Sequence, residues 1–220
     1  MNKSELKTCS FPGVSQAALK MINARAPATI LDVGCYYGDV SRYLISAGYV
    51  VSSMDLIPYD GTEKLPDFHI VNAASDWPFL DSQFDIVVCT EVIEHVDAPT
   101  RLLKEAARVL KPGGEFVIST PLVNSLSARL TFLLTGHLYQ FGHREFHEWG
   151  HISPVTADWI IWEAAKHSMK CSEVRCERAE HGWKRWLVWR LLWPVQWIFK
   201  RQTGALLDGH SVILRLVRPV

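Results

Sequence analysis

Residues 30–44 read ILDVGCYYGDVSRYL, an apolar run, a turn bracketed by Gly34 and Gly38, and then an amphipathic segment. Val40, Tyr43, Leu44 and Ala47 recur at helical spacing until Gly48 closes that segment. The order is strand, glycine turn, helix. Glycine at the turn allows a tight bend and lets a ligand approach the backbone closely. Asp55 ends the next apolar run, 21 residues beyond Gly34. A carboxylate at that place can accept both hydroxyls of a ribose.

The same rhythm extends outward from this stretch. Between Ala28 and Thr120 short apolar runs alternate with amphipathic segments, the βαβα pattern of a parallel sheet. The expected strands are Thr29–Val33, Val50–Asp55, Phe68–Asn72, Phe84–Thr90 and Glu115–Thr120. Leu102, Leu103, Ala106, Val109 and Leu110 mark a helix after Pro99, and Lys-Pro-Gly-Gly at 111–114 is expected to stop it. Residues 121–152 break the rhythm and read as an insertion over the sheet. Ser153-Pro154 then reads as N-cap and first residue of a helix running to about His167. Strands near Lys170–Arg178 and His210–Arg218 would complete the sheet, with a Trp-rich helix between them. No internal repeat or linker interrupts the chain, so residues 1–220 are expected to form one domain.

Composition narrows the function classes. The 220 residues carry 23 Lys+Arg against 23 Asp+Glu, and the pI is near 7.1. Duplex nucleic acid is therefore not an expected partner, because binding it needs a strongly basic surface. Five scattered cysteines without a CxxC pair read as reduced thiols. The N-terminal stretch lacks the apolar run of a signal peptide, and no stretch is long enough to span a bilayer. The expectation is a cytoplasmic protein.

The glycine loop also discriminates between nucleotides. A dinucleotide site needs G-x-G-x-x-G to seat a pyrophosphate on the helix N-terminus. Here Tyr36 occupies the middle glycine's place and Asp39 presents an anion to the phosphates. An NAD-dependent oxidoreductase is the disfavoured alternative; a nucleoside lacking phosphate suits the loop better. In order along the chain, ILDVGCYYG, SSMDL, DWPFLDSQFDIVVCTEVIEHV and LLKEAARVLKPGGEFVISTP resemble the class I S-adenosylmethionine-dependent methyltransferases. More narrowly, the chain resembles the type-11/type-23 small-molecule group, which includes the ubiquinone-pathway O-methyltransferases. The resemblance implies an α/β, Rossmann-like, doubly wound seven-stranded sheet, mostly parallel with an antiparallel last strand. It implies S-adenosylmethionine as cofactor, with Asp32, Gly34 and Gly38 at its methionine moiety and Asp55 at its ribose. It further implies Leu56 beside the adenine, Asn72 or Ala73 at the adenine edge, and Thr90 and Glu91 beside the methyl group. The family has glycine where this chain has Tyr36, which keeps an inactive cofactor-binding scaffold open as the alternative.

Glu91, Glu94 and His95 form E-x-x-E-H after the fourth strand. On a helical turn, positions i, i+3 and i+4 point one way. Two carboxylates and an imidazole on one face suit a divalent cation that could bind a hydroxyl and lower its pKa. The grouping resembles the metal site of the ubiquinone-pathway enzymes and of small-RNA 3′-terminal 2′-O-methyltransferases, in which a later His completes the site. FGHREFHEWGH offers His143, His147 and His151 for that place. Alternatively His143 or His147 would act as general base, since imidazole titrates near neutral pH. The acceptor is expected to be a small molecule, a lipid-linked compound or a glycan, methylated on oxygen.

The segment HGWKRWLVWRLLWPVQWIFKRQ places Trp183, Trp186, Trp189, Trp193 and Trp197 on one helical stripe, with five Lys/Arg and no acid between Trp183 and Gln202. Two readings stay open for the helix over 183–200. One is contact with a membrane surface, which would put the protein peripherally at the inner face and favour a lipid-linked acceptor. The other is packing within the domain or a homodimer.

Overall fold

A computed structural model describes residues 13–177 and 209–220. Seven strands form one sheet: β1 (Thr29–Val33), β2 (Val50–Asp55), β3 (Phe68–Ile70), β4 (Phe84–Thr90), β5 (Leu110–Pro121), β6 (Lys170–Glu177) and β7 (Ser211–Val217), in the order β3-β2-β1-β4-β5-β7-β6. The first five run parallel, and β7 lies antiparallel between β5 and β6. The Rossmann-like α/β expectation holds, including the antiparallel last strand.

The apolar strands follow from burial on both faces. In β1, Leu31 and Val33 join the core on one face while Ile30 joins the other; in β4, Val87 and Cys89 face one way, Ile86 and Val88 the other. Helix α3 (Pro99–Val109) and helix α5 (Ala157–Lys166) cover the first face. Helix α2 (Asp39–Ser46) covers the second with Val40 and Leu44, and the short α1 (Val14–Leu19) packs Val14 and Ala18 on Val117 and Ile213.

Three boundaries differ from the sequence expectation. Strand β3 ends at Ile70, short of Asn72. Lys-Pro-Gly-Gly does end α3, but it lies inside β5, which pairs Leu110 with Phe84 and, after a register shift, Glu115 with Ile86. Helix α5, expected from Pro154, begins at Ala157, because Thr156 is its N-cap and accepts from Trp159 N–H at 3.2 Å. Ser153 instead donates its hydroxyl to the Val96 carbonyl at 2.6 Å. Segment 151–155 is thereby tied to the loop after β4. Residues 121–152 contain helix α4 (Leu126–Thr135), capped by Ser125 and ended by Gly136, and a π turn over Glu145–Trp149. The Trp-rich segment 183–200 lies outside the described residues. Among the described residues, no helix is long and apolar enough to cross a membrane.

Candidate active site

A cavity of about 1030 Å³ opens at the C-terminal ends of β1, β2 and β4, the place where open parallel sheets bind ligands. The turn after β1 forms one wall. Gly34 has φ +71°, and a β-carbon there would lie 2.3 Å from Val92 Cγ2, so only glycine lets this turn pass the loop after β4. The Gly34 and Cys35 amides donate to the Met54 carbonyl at 2.8 and 3.1 Å, which fixes the turn against β2.

Asp32 and Asp55 stand below that turn. The buried Asp32 accepts from Ser41 Oγ at 2.6 Å, and Ser41 lies 2.8 Å from Ser53 Oγ. Burial pushes the Asp32 carboxyl up to about 6; the Ser41 bond opposes this and the Asp55 charge adds to it. Asp55 accepts from the Tyr36 and Leu56 amides at 2.8 and 2.7 Å. Burial raises its pKa too, against the lowering effect of those bonds. Asp39 also lines the cavity, but Arg42 pairs with its carboxylate. Among the described lining residues there is no Lys or Arg, so a pyrophosphate would meet carboxylates without a counter-charge.

The far end of the cavity holds the E-x-x-E-H residues, arranged otherwise than expected. They do not share a helical turn: Glu91 takes φ +56° and only Ile93–His95 is helical, as a 3-10 turn. Glu91 accepts from Ser119 Oγ at 2.8 Å and Ser211 Oγ at 3.1 Å. Burial lifts its pKa to about 7 despite both bonds. Glu94 is fully buried, and neither carboxylate oxygen has a hydrogen-bond partner. Its pKa is raised, by burial first and by the Glu91 charge second, with the nearby Thr120 hydroxyl only partly opposing.

His151 takes the place in this cluster that sequence spacing gave to Glu91. The Glu94 carbonyl accepts from the amides of Ile152 and Ser153, both at 2.9 Å, which folds the chain around residue 151 onto the cluster. One ligand atom each from Glu94, His95 and His151 lie within 4.8 Å of one another. His151 Nδ1 lies 2.7 Å from the Gln140 carbonyl; a carbonyl only accepts, so Nδ1 carries the proton and Nε2 keeps its lone pair. Loss of water lowers the pKa of both imidazoles, and for His95 the neighbouring His151 adds to the effect.

Of the residues expected at the cofactor, Asp32, Gly34, Asp55, Leu56, Asn72, Ala73 and Thr90 all line the cavity. Gly38 does not; with φ +77° it caps α2, where a β-carbon would lie 2.9 Å from Leu65 Cδ1. His143 and His147 also lie outside the lining, their rings 4.3 Å apart on an exposed turn. Sequence reasoning passed over Ser41, Ser119 and Ser211, whose contacts come from strands and helices distant in sequence.

A family described as a methyltransferase domain matches residues 11–168, and the chain belongs to it. The ubiquinone biosynthesis O-methyltransferase of Hydrogenovibrio crunogenus is 33% identical over 111 residues, 46% of each chain. That of Thiobacillus denitrificans is 28% identical over 148 residues, covering 62% of this chain and 64% of the other. The chain thus spans about half to two thirds of the length of these curated relatives. Burkholderia thailandensis 1,6-didemethyltoxoflavin-N1-methyltransferase, solved with bound 1,6-didemethyltoxoflavin and S-adenosylhomocysteine, superposes with a TM-score of 0.62 at 16% identity, covering 94% of this chain and 79% of that one. That likeness is one of fold.

Proposed function

We propose, on the premise of this methyltransferase-domain membership, that the protein transfers a methyl group from S-adenosylmethionine to an oxygen of a small-molecule, lipid-linked or glycan acceptor. The observation that carries the reading is one continuous cavity running from Asp32 and Asp55 to Glu94, His95 and His151 without a Lys or Arg in its described lining. A ligand with ammonium and sulfonium charges is complementary to that wall; a dinucleotide is not. In this reading Asp55 accepts the ribose hydroxyls and Leu56 flanks the base with its exposed side chain. Asn72 and Ala73 border the base edge, Thr90 borders the methyl group, and Asp32 holds the methionine end through the Gly34 turn. When bound, the cofactor supplies an activated methyl group, so the protein's task is alignment and the removal of one proton.

The second part of the reading is a divalent cation at Glu94, His95 and His151. Two buried carboxylate oxygens without partners are costly unless something charged meets them. One carboxylate and two neutral imidazoles form a suitable donor set. Glu91 holds the adjoining wall through Ser119 and Ser211. An apolar acceptor is favoured by the exposed Phe132, Leu133 and Leu134 of α4 in the same insertion that supplies His151. The experiment is transfer of labelled methyl from S-adenosylmethionine into lipid, glycan and soluble fractions of a cell extract. Label in an acid-stable, ether-linked product supports the reading. Tight S-adenosylhomocysteine binding without label in any fraction would favour the inactive scaffold.

A further inference from the structure

Tyr36 holds a backbone conformation that suits glycine. Its φ is +50°, in the left-handed region where a β-carbon crowds the neighbouring carbonyl. It sits between Gly34 and Gly38 in the turn that walls the cavity, where the resembled family has glycine. Such strain persists only where the surroundings fix it, and it gathers where ligands are held.

The surroundings are aromatic. The Tyr36 ring lies 4.2 Å from that of Tyr37 and 4.4 Å from that of Tyr59, and Tyr37 and Tyr59 are 5.4 Å apart. Tyr59 belongs to a different segment, the loop that follows Asp55. Tyr36 and Tyr59 both line the cavity. Polar bonds tie the same two loops: Tyr36 N–H donates to Asp55, and the Arg42 guanidinium donates to the carbonyls of Tyr37 at 2.6 Å and Gly61 at 3.4 Å.

We propose that Tyr36, Tyr37 and Tyr59 form a clasp that orders the glycine loop and the loop after Asp55 before the cofactor arrives, with Tyr36 as a positioning residue for it. The inference rests on the cofactor reading given above. A loop already ordered loses little freedom on binding. With glycine at position 36 the turn would explore more conformations and the ligand would have to order it. Ordering about one backbone residue corresponds to about a tenfold loss of affinity. Relief of the left-handed backbone offsets the lost ring packing, so stability should hardly move. Affinity and stability therefore separate, which a purely structural residue would not do.

The test is calorimetric titration of the full chain with S-adenosylhomocysteine, alongside thermal melts, for wild type, Tyr36→Gly, Tyr36→Phe, Tyr59→Leu and the Tyr36→Gly/Tyr59→Leu double variant. Tyr36→Gly should bind about tenfold more weakly while melting within about 4 °C of wild type. Tyr36→Phe keeps the ring and should bind within about twofold of wild type. The double variant should lose little beyond Tyr36→Gly alone, because both changes open one clasp. Wild-type affinity in Tyr36→Gly, or equal weakness in Tyr36→Phe and Tyr36→Gly, overturns the clasp. Should Tyr36→Gly not fold, weakened binding by Tyr59→Leu with unchanged binding by Tyr36→Phe supports it, and unchanged binding by both overturns it. Wild type that does not bind S-adenosylhomocysteine at all overturns the cofactor reading and the clasp with it.

Discussion

Gly34→Ala tests the geometry that brings the turn after β1 against the loop after β4. The added β-carbon would lie 2.3 Å from Val92 Cγ2 and 3.3 Å from Val92 Cγ1, and the backbone sits at φ +71°. Placing alanine in the left-handed region costs about 1–2 kcal/mol. Forcing a methyl into occupied space costs about 1–3 kcal/mol more, so the variant should lose about 2–5 kcal/mol of unfolding free energy. Both contacts are with Val92, so truncating that side chain should remove the steric part and leave the backbone part. In a Val92→Ala background, Gly34→Ala should therefore cost only about 1–2 kcal/mol. Urea denaturation of the four proteins in the cycle, followed by tryptophan fluorescence, measures each step. An equal cost in both backgrounds would refute the close approach of the two loops, and with it the shape of the cavity between them.

Three further outcomes follow from the site. Asp55→Ala should weaken S-adenosylhomocysteine binding by the worth of a charge-assisted hydrogen bond, about 1.5–3 kcal/mol, while circular dichroism shows the fold intact; unchanged affinity in calorimetry would remove Asp55 from the cofactor site. Asp32 has a folded-state pKa of about 6 against an ordinary 3.8, so the folded state binds its proton more tightly than the unfolded one. Its contribution is fully present below pH 4 and is lost as pH rises through about 6, up to about 3 kcal/mol; Asp32→Asn should flatten that part of the stability profile, and an unaltered slope between pH 4 and 6 would contradict the assignment. Glu94→Ala and His151→Ala should each abolish methyl transfer while leaving S-adenosylhomocysteine affinity within about twofold, and EDTA should act likewise on wild type. Full turnover in EDTA would reject the cation at this cluster.

Sequence alone determined the sheet and the residues that wall the Asp32–Asp55 end of the cavity. Buried parallel strands must be apolar on both faces, so 29–33, 50–55 and 84–90 stood out as runs, and their bounds agree with β1, β2 and β4. Gly34 and Asp55 were legible because a tight turn and a strand-end carboxylate are each local demands, each expressed by the few residues around it. The end formed by Glu94, His95 and His151 was not local. The sequence offered His143, His147 and His151 with nothing to rank them, and it grouped Glu91 with Glu94 on an assumed helical turn. Only the tertiary structure separated them. The Glu94 carbonyl captures the amides of Ile152 and Ser153, which carries His151 to the cluster and leaves His143 and His147 on the surface. Ser119 on β5 and Ser211 on β7 draw Glu91 aside, two hydroxyls that become neighbours only because the last strand inserts between β5 and β6. Pairing across such sequence distances is fixed by strand order and packing, and no periodicity along the chain encodes it.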